Sequence, residues 1–258
     1  MNGRINTVEE RCVVPATSTE PRTRSWKAVS DDPNSTEAIR FRNETLTAAH
    51  GDPVPDRIAY IQNLCRGKRV LDVGVVDHTV RSGQSLHRSV ASVASYCLGT
   101  DILPEAVKTL QARGLNVRLW DVTSEPLDEQ FDVMICGEVI EHLGNPGGLF
   151  AAAARTLSPA GRMVLTTPNP FYMFRTRDNL RGRCFDSVDH VTMIFPSGVA
   201  EFAEREGLRL DRYRGVSVGP AVTLRAKLAL TTLRLLFGRV LSPDVGCYTM
   251  IYECVKPA

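Results

Sequence analysis

Short apolar runs alternate with helix signals through the middle of this 258-residue chain, and this alternation constrains its fold more than any other feature. The runs predict strands at residues 69–73, 95–100, 116–120, 131–136 and 162–167. Such alternation is typical of a mostly parallel sheet with helices on both faces. We therefore predict an α/β, Rossmann-like fold that ends in a strand pair at residues 208–218 and 247–255, with the last strand antiparallel.

The length and composition fit one domain with extensions. Hydrophobic residues make up 43% of the chain and charged residues 23%, which is ordinary for a domain with its own core. The polar N-terminal stretch has no sustained period, so we predict a flexible arm or cap over residues 1–45. The main domain is predicted over residues 46–258, with an inserted helix at about residues 221–241.

The charge and the cysteines exclude several classes of function. A formal net charge of +2 is too small to indicate DNA binding, so a small-molecule acceptor is the default partner. The seven cysteines form no CxxC pair, which indicates reduced thiols rather than a disulfide framework or a zinc site. The N-terminus has no apolar core of the kind a secretory signal needs, so we expect a cytoplasmic protein.

An acidic residue stands at or near the end of each of the first three predicted strands. Ligands of a parallel sheet bind beyond the carboxyl ends of its strands, where Asp72, Asp101 and Asp121 lie. A carboxylate at Asp101 is suited to accept hydrogen bonds from both ribose hydroxyls of an adenosine, and Asp121 to accept one from the adenine amino group. The alternatives are a helix N-cap for Asp101 and a solvated turn for Asp121.

Four motifs occur in a specific order: Val-Leu-Asp-Val-Gly at 70–74, Gly-Thr-Asp-Ile at 99–102, a run at 131–143 that ends Glu-Val-Ile-Glu-His-Leu, and Leu-Ser-Pro-Ala-Gly-Arg at 157–162. Together they resemble the class I S-adenosylmethionine-dependent methyltransferases, particularly the ubiquinone-biosynthesis and bacterial sugar O-methyltransferases. The resemblance covers about residues 56–218 and implies S-adenosylmethionine as cofactor. The cofactor-binding residues expected are Asp72, Gly74, Val75, Asp77, Asp101, Ile102, Asp121, Val122 and Cys136.

The chain departs from the family pattern directly after the first motif. Members of the family usually continue with further glycines, which let the backbone approach the methionine end of the cofactor. Here Val75, Val76, Asp77 and His78 follow Gly74. A dinucleotide enzyme needs a tight GxGxxG turn and therefore fits less well. A non-catalytic relative that serves as a scaffold is the alternative of a different class.

The carboxyl end of the fourth predicted strand carries the candidate catalytic groups. Glu138, Glu141 and His142 fall at i, i+3 and i+4, so a helical turn would place them on one face. Methyl transfer to an alcohol requires alignment of the two substrates and removal or stabilisation of the hydroxyl proton. His142 or His190 is the candidate catalytic base.

A metal site is a second interpretation of the same residues. Oxygen ligands with imidazole suit Mg²⁺ or Mn²⁺, and such an ion would lower the pKa of an acceptor hydroxyl. The plant small-RNA 2′-O-methyltransferases are similar, with an ExxEH run and a later histidine. That resemblance implies metal ligation by Glu138, Glu141, His142 and His190. The alternative is a Glu-His pair that positions substrate without a metal.

We predict O-methylation of a small polyhydroxylated acceptor, such as a sugar of a glycolipid or a natural product. RNA 2′-O-methylation and small-molecule N-methylation are the alternatives within enzymes. The aromatic and arginine-rich loop after residue 167 is expected to shape the acceptor pocket or to cap the core. The insertion at 221–241 is interpreted as a lid or homo-oligomer contact, with contact to a membrane surface as the alternative.

Overall fold

A computed structural model describes residues 25–76, 85–124, 127–217, 228, 231, 232 and 241–258. Seven strands form one sheet in the order β3-β2-β1-β4-β5-β7-β6. The strands are β1 (Arg69–Val73), β2 (Tyr96–Asp101), β3 (Val117–Leu119), β4 (Phe131–Gly137), β5 (Leu157–Pro168), β6 (Arg209–Gly215) and β7 (Thr249–Val255). The first five strands pair in parallel, and β7 is antiparallel to both neighbours. This topology confirms the predicted fold class.

Helices cover both faces of this sheet. They are α1 (Thr36–Ala49), α2 (Arg57–Cys65), α3 (Leu86–Ala91), α4 (Pro104–Ala112), α5 (Pro146–Thr156), α6 (Met173–Asn179) and α7 (Pro196–Arg205). One apolar cluster joins α5 and α7 to the sheet, and a second joins α2 and α3 to its opposite face. The strands between them are apolar on both sides, as expected for parallel strands that never meet water.

The predicted elements agree with the structure best where the sequence is most apolar. Strand β1 has the predicted bounds. Strand β5 begins earlier than predicted, because Leu157 already pairs with Phe131 before the chain turns at Ala160, which has a φ of 60°. The loop predicted after residue 167 contains α6, whose N-terminus has no side-chain cap and whose sequence carries no clear helical signal.

The N-terminal boundary predicted at residue 45 falls inside α1, which runs from Thr36 to Ala49. Ser35 caps this helix, since its hydroxyl accepts a hydrogen bond from the Ala38 amide. Arg42 then joins α1 to α7 through ion pairs of 2.9 Å with Glu201 and Glu204. Polar contacts with a distant helix therefore fix a segment whose own sequence has no hydrophobic period.

Some predicted features lie outside the described residues. These are residues 1–24 of the predicted arm, Asp77 and the loop after it, and most of the insertion at 221–241. Within the insertion Leu228, Thr231 and Thr232 are helical. Among the described residues, none of the helices combines the length and the apolar character that crossing a membrane requires.

The chain leaves β1 through Gly74, and this residue provides a test of the packing. Gly74 has a φ of 76°, and a Cβ there would overlap the side chain of Val139. Gly67 also has a positive φ, 69°, but no atom lies within 4 Å of its Cβ position. We expect Gly67→Ala to lower the free energy of unfolding by about 1 kcal/mol through backbone strain alone.

For Gly74→Ala we expect a loss larger by about 1–3 kcal/mol, because overpacking adds to the same strain. Urea unfolding of both variants gives the comparison. Equal losses would show that Val139 moves aside without cost.

Candidate active site

The carboxyl ends of β1 and β2 meet at Gly74. Its amide and that of Val75 donate hydrogen bonds to the Thr100 carbonyl, with N–O distances of 2.8 and 3.2 Å. The positive φ of Gly74 turns the chain at this point. The parallel register of β1 on β2 therefore brings the first motif beside Asp101.

Asp101 is 8% exposed and closes this corner of the sheet. One carboxylate oxygen accepts from the Val76 amide at 2.9 Å, and the other accepts from the Leu103 amide at 3.1 Å. The second bond is a local turn that leads into α4, so Asp101 supports the start of that helix, where Leu103 is the N-cap. Each oxygen retains a further lone pair for a ligand.

The other predicted cofactor residues fall into two groups. Ile102 is 64% exposed next to Asp101, and Asp121 is exposed at the end of β3, where one of its oxygens accepts from the Thr123 amide at 2.8 Å. Val75 and Val122 are buried. Cys136 is also buried, with its side chain in the core, where desolvation raises the thiol pKa.

Asp72 has a partner, His87, that no sequence motif indicates. Both it and His87 are 3% exposed, and His87 Nδ1 lies 3.0 Å from Asp72 Oδ2. The His87 ring fits because β2 has a glycine at position 99, where a Cβ would lie 2.7 Å from the ring. Asp72 therefore joins α3 to β1, and its side chain is buried one residue before the carboxyl end of β1.

Glu138 and Glu141 lie on opposite faces of the sheet. Glu138 has a φ of 57°, so the chain is not helical there, and the short 3-10 helix begins only at Ile140. Glu138 Oε1 accepts from Arg57 at 3.1 Å and from Thr249 at 3.4 Å. Glu141 is fully buried on the other side. The prediction that Glu138 and Glu141 share one helical face is therefore wrong.

Three of the four predicted metal ligands do come together. Glu141, His142 and His190 each have one ligand atom, and these atoms all lie within 4.8 Å of one another. The two imidazole rings meet edge to face with centroids 4.9 Å apart. Glu138 is outside this group, since its carboxylate pairs with Arg57.

Two buried atoms of this cluster have no hydrogen-bond partner among the described residues: Glu141 Oε1 and His190 Nδ1. Thr167 donates to the other Glu141 oxygen at 3.1 Å. Burial raises the pKa of Glu141 to about 7, and the nearby Glu138 charge adds to this effect. A buried polar atom without a partner is costly, and a ligand bonded to these two atoms would remove that cost.

The segment at residues 187–192 holds the third member of the cluster in place. The amides of Val191 and Thr192 donate to the backbone carbonyl of Glu141, with N–O distances of 2.8 and 3.2 Å. Asp189 Oδ2 lies 3.2 Å from His142 Nδ1. The exposed His142 side chain is therefore oriented through one ring nitrogen, and the other is left for a proton or an ion.

The arginines after β5 divide into structural and exposed ones. Arg175 is 2% exposed, and its Nε lies 2.8 Å from Asp186 Oδ1, while its guanidinium also donates to the Asn169 carbonyl. Arg177 pairs with Asp178 at the surface. Arg175 thus holds the loop against the core. Of the two predicted roles for this loop, covering the core and shaping the acceptor pocket, Arg175 serves the first.

Comparison with known proteins gives one family. A family model described as a methyltransferase domain matches residues 47–213. The ubiquinone biosynthesis O-methyltransferase of Pseudomonas fluorescens is 28% identical over 196 residues, which is 72% of this chain and 77% of the relative.

Two solved structures share the fold. A SAM-dependent methyltransferase from Archaeoglobus fulgidus has a TM-score of 0.54 and 16% identity, covering 77% of this chain and 90% of its own. Magnesium protoporphyrin IX methyltransferase from Synechocystis, solved with bound SAH, has a TM-score of 0.52 and 14% identity, covering 90% and 93%.

The position of Asp101 predicts its effect on cofactor affinity. We expect Asp101→Asn to weaken binding of S-adenosylhomocysteine about 10- to 100-fold, because hydrogen bonds to a charged acceptor are the stronger kind. Isothermal titration calorimetry measures the affinity. Glu105→Gln is the control, since it removes one exposed carboxylate from the first turn of α4. Equal affinities in both variants would contradict the assignment.

The Asp72–His87 pair makes a separate prediction about stability. We expect His87→Leu to lower the free energy of unfolding by about 1–3 kcal/mol, because it leaves a buried carboxylate without its donor. His87→Asn, which keeps a donor, is expected to restore part of the loss. In a double-mutant cycle with Asp72→Leu, measured by urea unfolding, the double variant should lose less free energy of unfolding than the sum of the losses of the two single variants. Additive losses would show that the two residues do not interact.

Proposed function

We propose that this chain, which belongs to the methyltransferase domain family and is an S-adenosylmethionine-dependent methyltransferase, transfers its methyl group to a hydroxyl oxygen of a small acceptor. The observation that carries the proposal is the Glu141–His142–His190 cluster at the carboxyl edge of the sheet. An alcohol must lose its proton as the new bond forms, and this cluster offers imidazole and carboxylate groups for that purpose. The name of the Pseudomonas relative, an O-methyltransferase, supports the same choice.

The cofactor side of the proposal depends on two carboxylates. We place the adenosine against Ile102, with its ribose hydroxyls on Asp101 and its amino group on Asp121. Asp101 keeps acceptor capacity after binding two backbone amides, and Ile102 presents apolar surface to solvent without a protein partner on that side. Asp72, by contrast, acts through the packing of β1 and α3.

We further propose that the cluster holds a divalent ion. The two buried atoms without a partner, Glu141 Oε1 and His190 Nδ1, fit this role, since a cation would satisfy both. With two imidazoles among three protein donors, the set favours Mn²⁺ over Mg²⁺, which prefers oxygen ligands. When bound, such an ion lowers the pKa of a coordinated hydroxyl. Asp189 keeps the His142 ring in position, and Thr167 keeps the Glu141 carboxylate in position.

The polyhydroxylated acceptor preferred from the sequence stays a prediction, as do cytoplasmic location and homo-oligomer formation. RNA 2′-O-methylation shares the metal chemistry, but no residue contact of the described chain favours it over a small acceptor.

The metal proposal predicts which carboxylate matters. We expect Mn²⁺ to bind the full-length protein. The variants Glu141→Gln, His142→Ala and His190→Ala should each raise the dissociation constant for Mn²⁺ by at least about tenfold. Glu138→Gln is the matched control and should change Mn²⁺ affinity far less than the three cluster variants, because the Glu138 carboxylate lies outside the cluster and pairs with Arg57. Calorimetry with MnCl₂ alone gives the affinities without any need for the acceptor.

Turnover then tests the reaction itself. The donor is radiolabelled S-adenosylmethionine, and the acceptor is catechol, methyl glucoside, ethanolamine or a short RNA. We expect an O-methyl product. EDTA should abolish its formation, and added Mn²⁺ should restore it. Full activity in EDTA would refute the metal, and an N-methyl product alone would refute the oxygen acceptor.

A further inference from the structure

Three aromatic side chains are exposed in the part of the chain that the structure describes, and they lie near the candidate active site. These are Phe171, Phe195 and Tyr248. Phe171 lies in the loop after β5 and contacts Phe195, with ring centroids 5.2 Å apart, and Tyr248 directly precedes β7. Exposed apolar surface that is gathered in one region, rather than scattered, is typical of a binding site.

Strand pairing places Tyr248 on the face of the sheet that carries the proposed metal cluster. The Asn169 amide donates to the Tyr248 carbonyl at 2.7 Å, which continues the pairing of β5 with β7 by one residue. The next residue, Thr249, contacts Glu138 on one face of the sheet. Alternation along β7 therefore turns Tyr248 to the other face, which carries Glu141 and the rest of the cluster.

The charges around the Tyr248 hydroxyl agree with this position. Desolvation is the main cause that raises the pKa of the hydroxyl, and the negative charges of Glu138 and Glu141 raise it further. The positive charge of Arg175 acts in the opposite direction. Because the effect of a charge falls with distance, the hydroxyl lies in the neighbourhood of both acids that follow β4.

Neighbouring side chains hold the Tyr248 ring in one orientation. The buried Tyr172 ring meets it edge to face with centroids 5.5 Å apart, and the Phe185 ring lies at 6.3 Å. The Arg175 guanidinium lies 5.5 Å from the ring centroid and is itself fixed by Asp186. Tyr248 nevertheless remains 40% exposed. A ring that is both exposed and fixed loses little conformational entropy when a ligand packs against it.

The polar side chains that fix this region are bonded to protein groups. Arg175 donates to Asp186 and to the Asn169 carbonyl. The Asn169 side chain donates to the carbonyls of Asp244 and Cys247. A sugar carries several hydroxyls that would lose water here without gaining these groups as partners, whereas an aromatic ring needs only the apolar contact.

We propose that Tyr248 is a specificity-determining residue and that its ring packs against an aromatic ring of the acceptor. This inference rests on the proposed function, because the acceptor hydroxyl has to reach the cluster while the acceptor ring contacts Tyr248. Aromatic pairs stabilise each other beyond the area that they bury, so the contact contributes directly to acceptor affinity.

The test measures steady-state methylation by the full-length protein, with catechol or methyl glucoside as acceptor and with saturating S-adenosylmethionine and Mn²⁺. We expect the wild type to prefer catechol. Tyr248→Leu should raise the KM for catechol about 3- to 10-fold and leave kcat within about twofold, because it removes the aromatic contact and not the cluster. Tyr248→Phe keeps the ring, so both constants should stay within about twofold of the wild-type values.

Two controls separate a direct contact from a structural role. Tyr96→Leu removes an aromatic ring at the start of β2, where it stacks with Phe131 at the opposite edge of the sheet. This variant should keep the wild-type KM for catechol. Calorimetry gives the second control, since Tyr248→Leu should bind S-adenosylhomocysteine with wild-type affinity.

Several results would overturn the proposal. Product from methyl glucoside but not from catechol would do so and leave O-methylation standing. An unchanged KM for catechol in Tyr248→Leu would do so as well, and so would weaker S-adenosylhomocysteine binding or a fall in kcat alone, because these indicate a role in packing. No product from either acceptor would refute the proposed function, and the assignment of Tyr248 would fall with it.

Discussion

Parallel pairing of β1 with β2 and β4 is the constraint on which the rest of the structure depends. Because these strands run in the same direction, their carboxyl ends and the residues that follow them meet at one edge. Gly74 allows the residues after β1 and β4 to pack closely, since any side chain at position 74 would collide with Val139. The backbone amide of Val76 can then reach Asp101, so a hydrogen bond joins two residues that are 25 positions apart in sequence.

The alternation of side chains along β5 places Glu138 and Glu141, the two acids that follow β4, on opposite faces of the sheet. Thr166 and Thr167 are neighbours in sequence and project to opposite sides. The side of Thr166 holds Arg57 and Glu138, while Thr167 donates to Glu141. One face therefore neutralises its acid with an arginine, and the other buries its acid beside two histidines. This separation gives two carboxylates, only three residues apart, different surroundings.

The sequence predicted the fold and the strands well because both depend on local signals. Apolar runs bounded by turn residues determine β1 and β4, and Pro104 determines where α4 begins. The elements that were missed lack such signals. Helix α1 is held by Arg42 and two glutamates of α7, which lie about 160 residues further along the chain, and α6 is held by the loop around buried Arg175. Neither kind of polar contact leaves a periodic pattern in the sequence.

The sequence by itself determined which residues stand at the carboxyl edge, because the order of strands and helices dictates the ends at which Asp101, Asp121 and Glu141 occur. Only the tertiary structure decided what those residues face. The positive φ of Glu138 breaks the helical spacing that predicted a shared face with Glu141. The Asp72 carboxylate is paired with His87, which lies on a helix that no sequence motif indicates. The physical reason is that a side chain's partners depend on packing between distant elements, whereas its place in the chain depends only on local propensity.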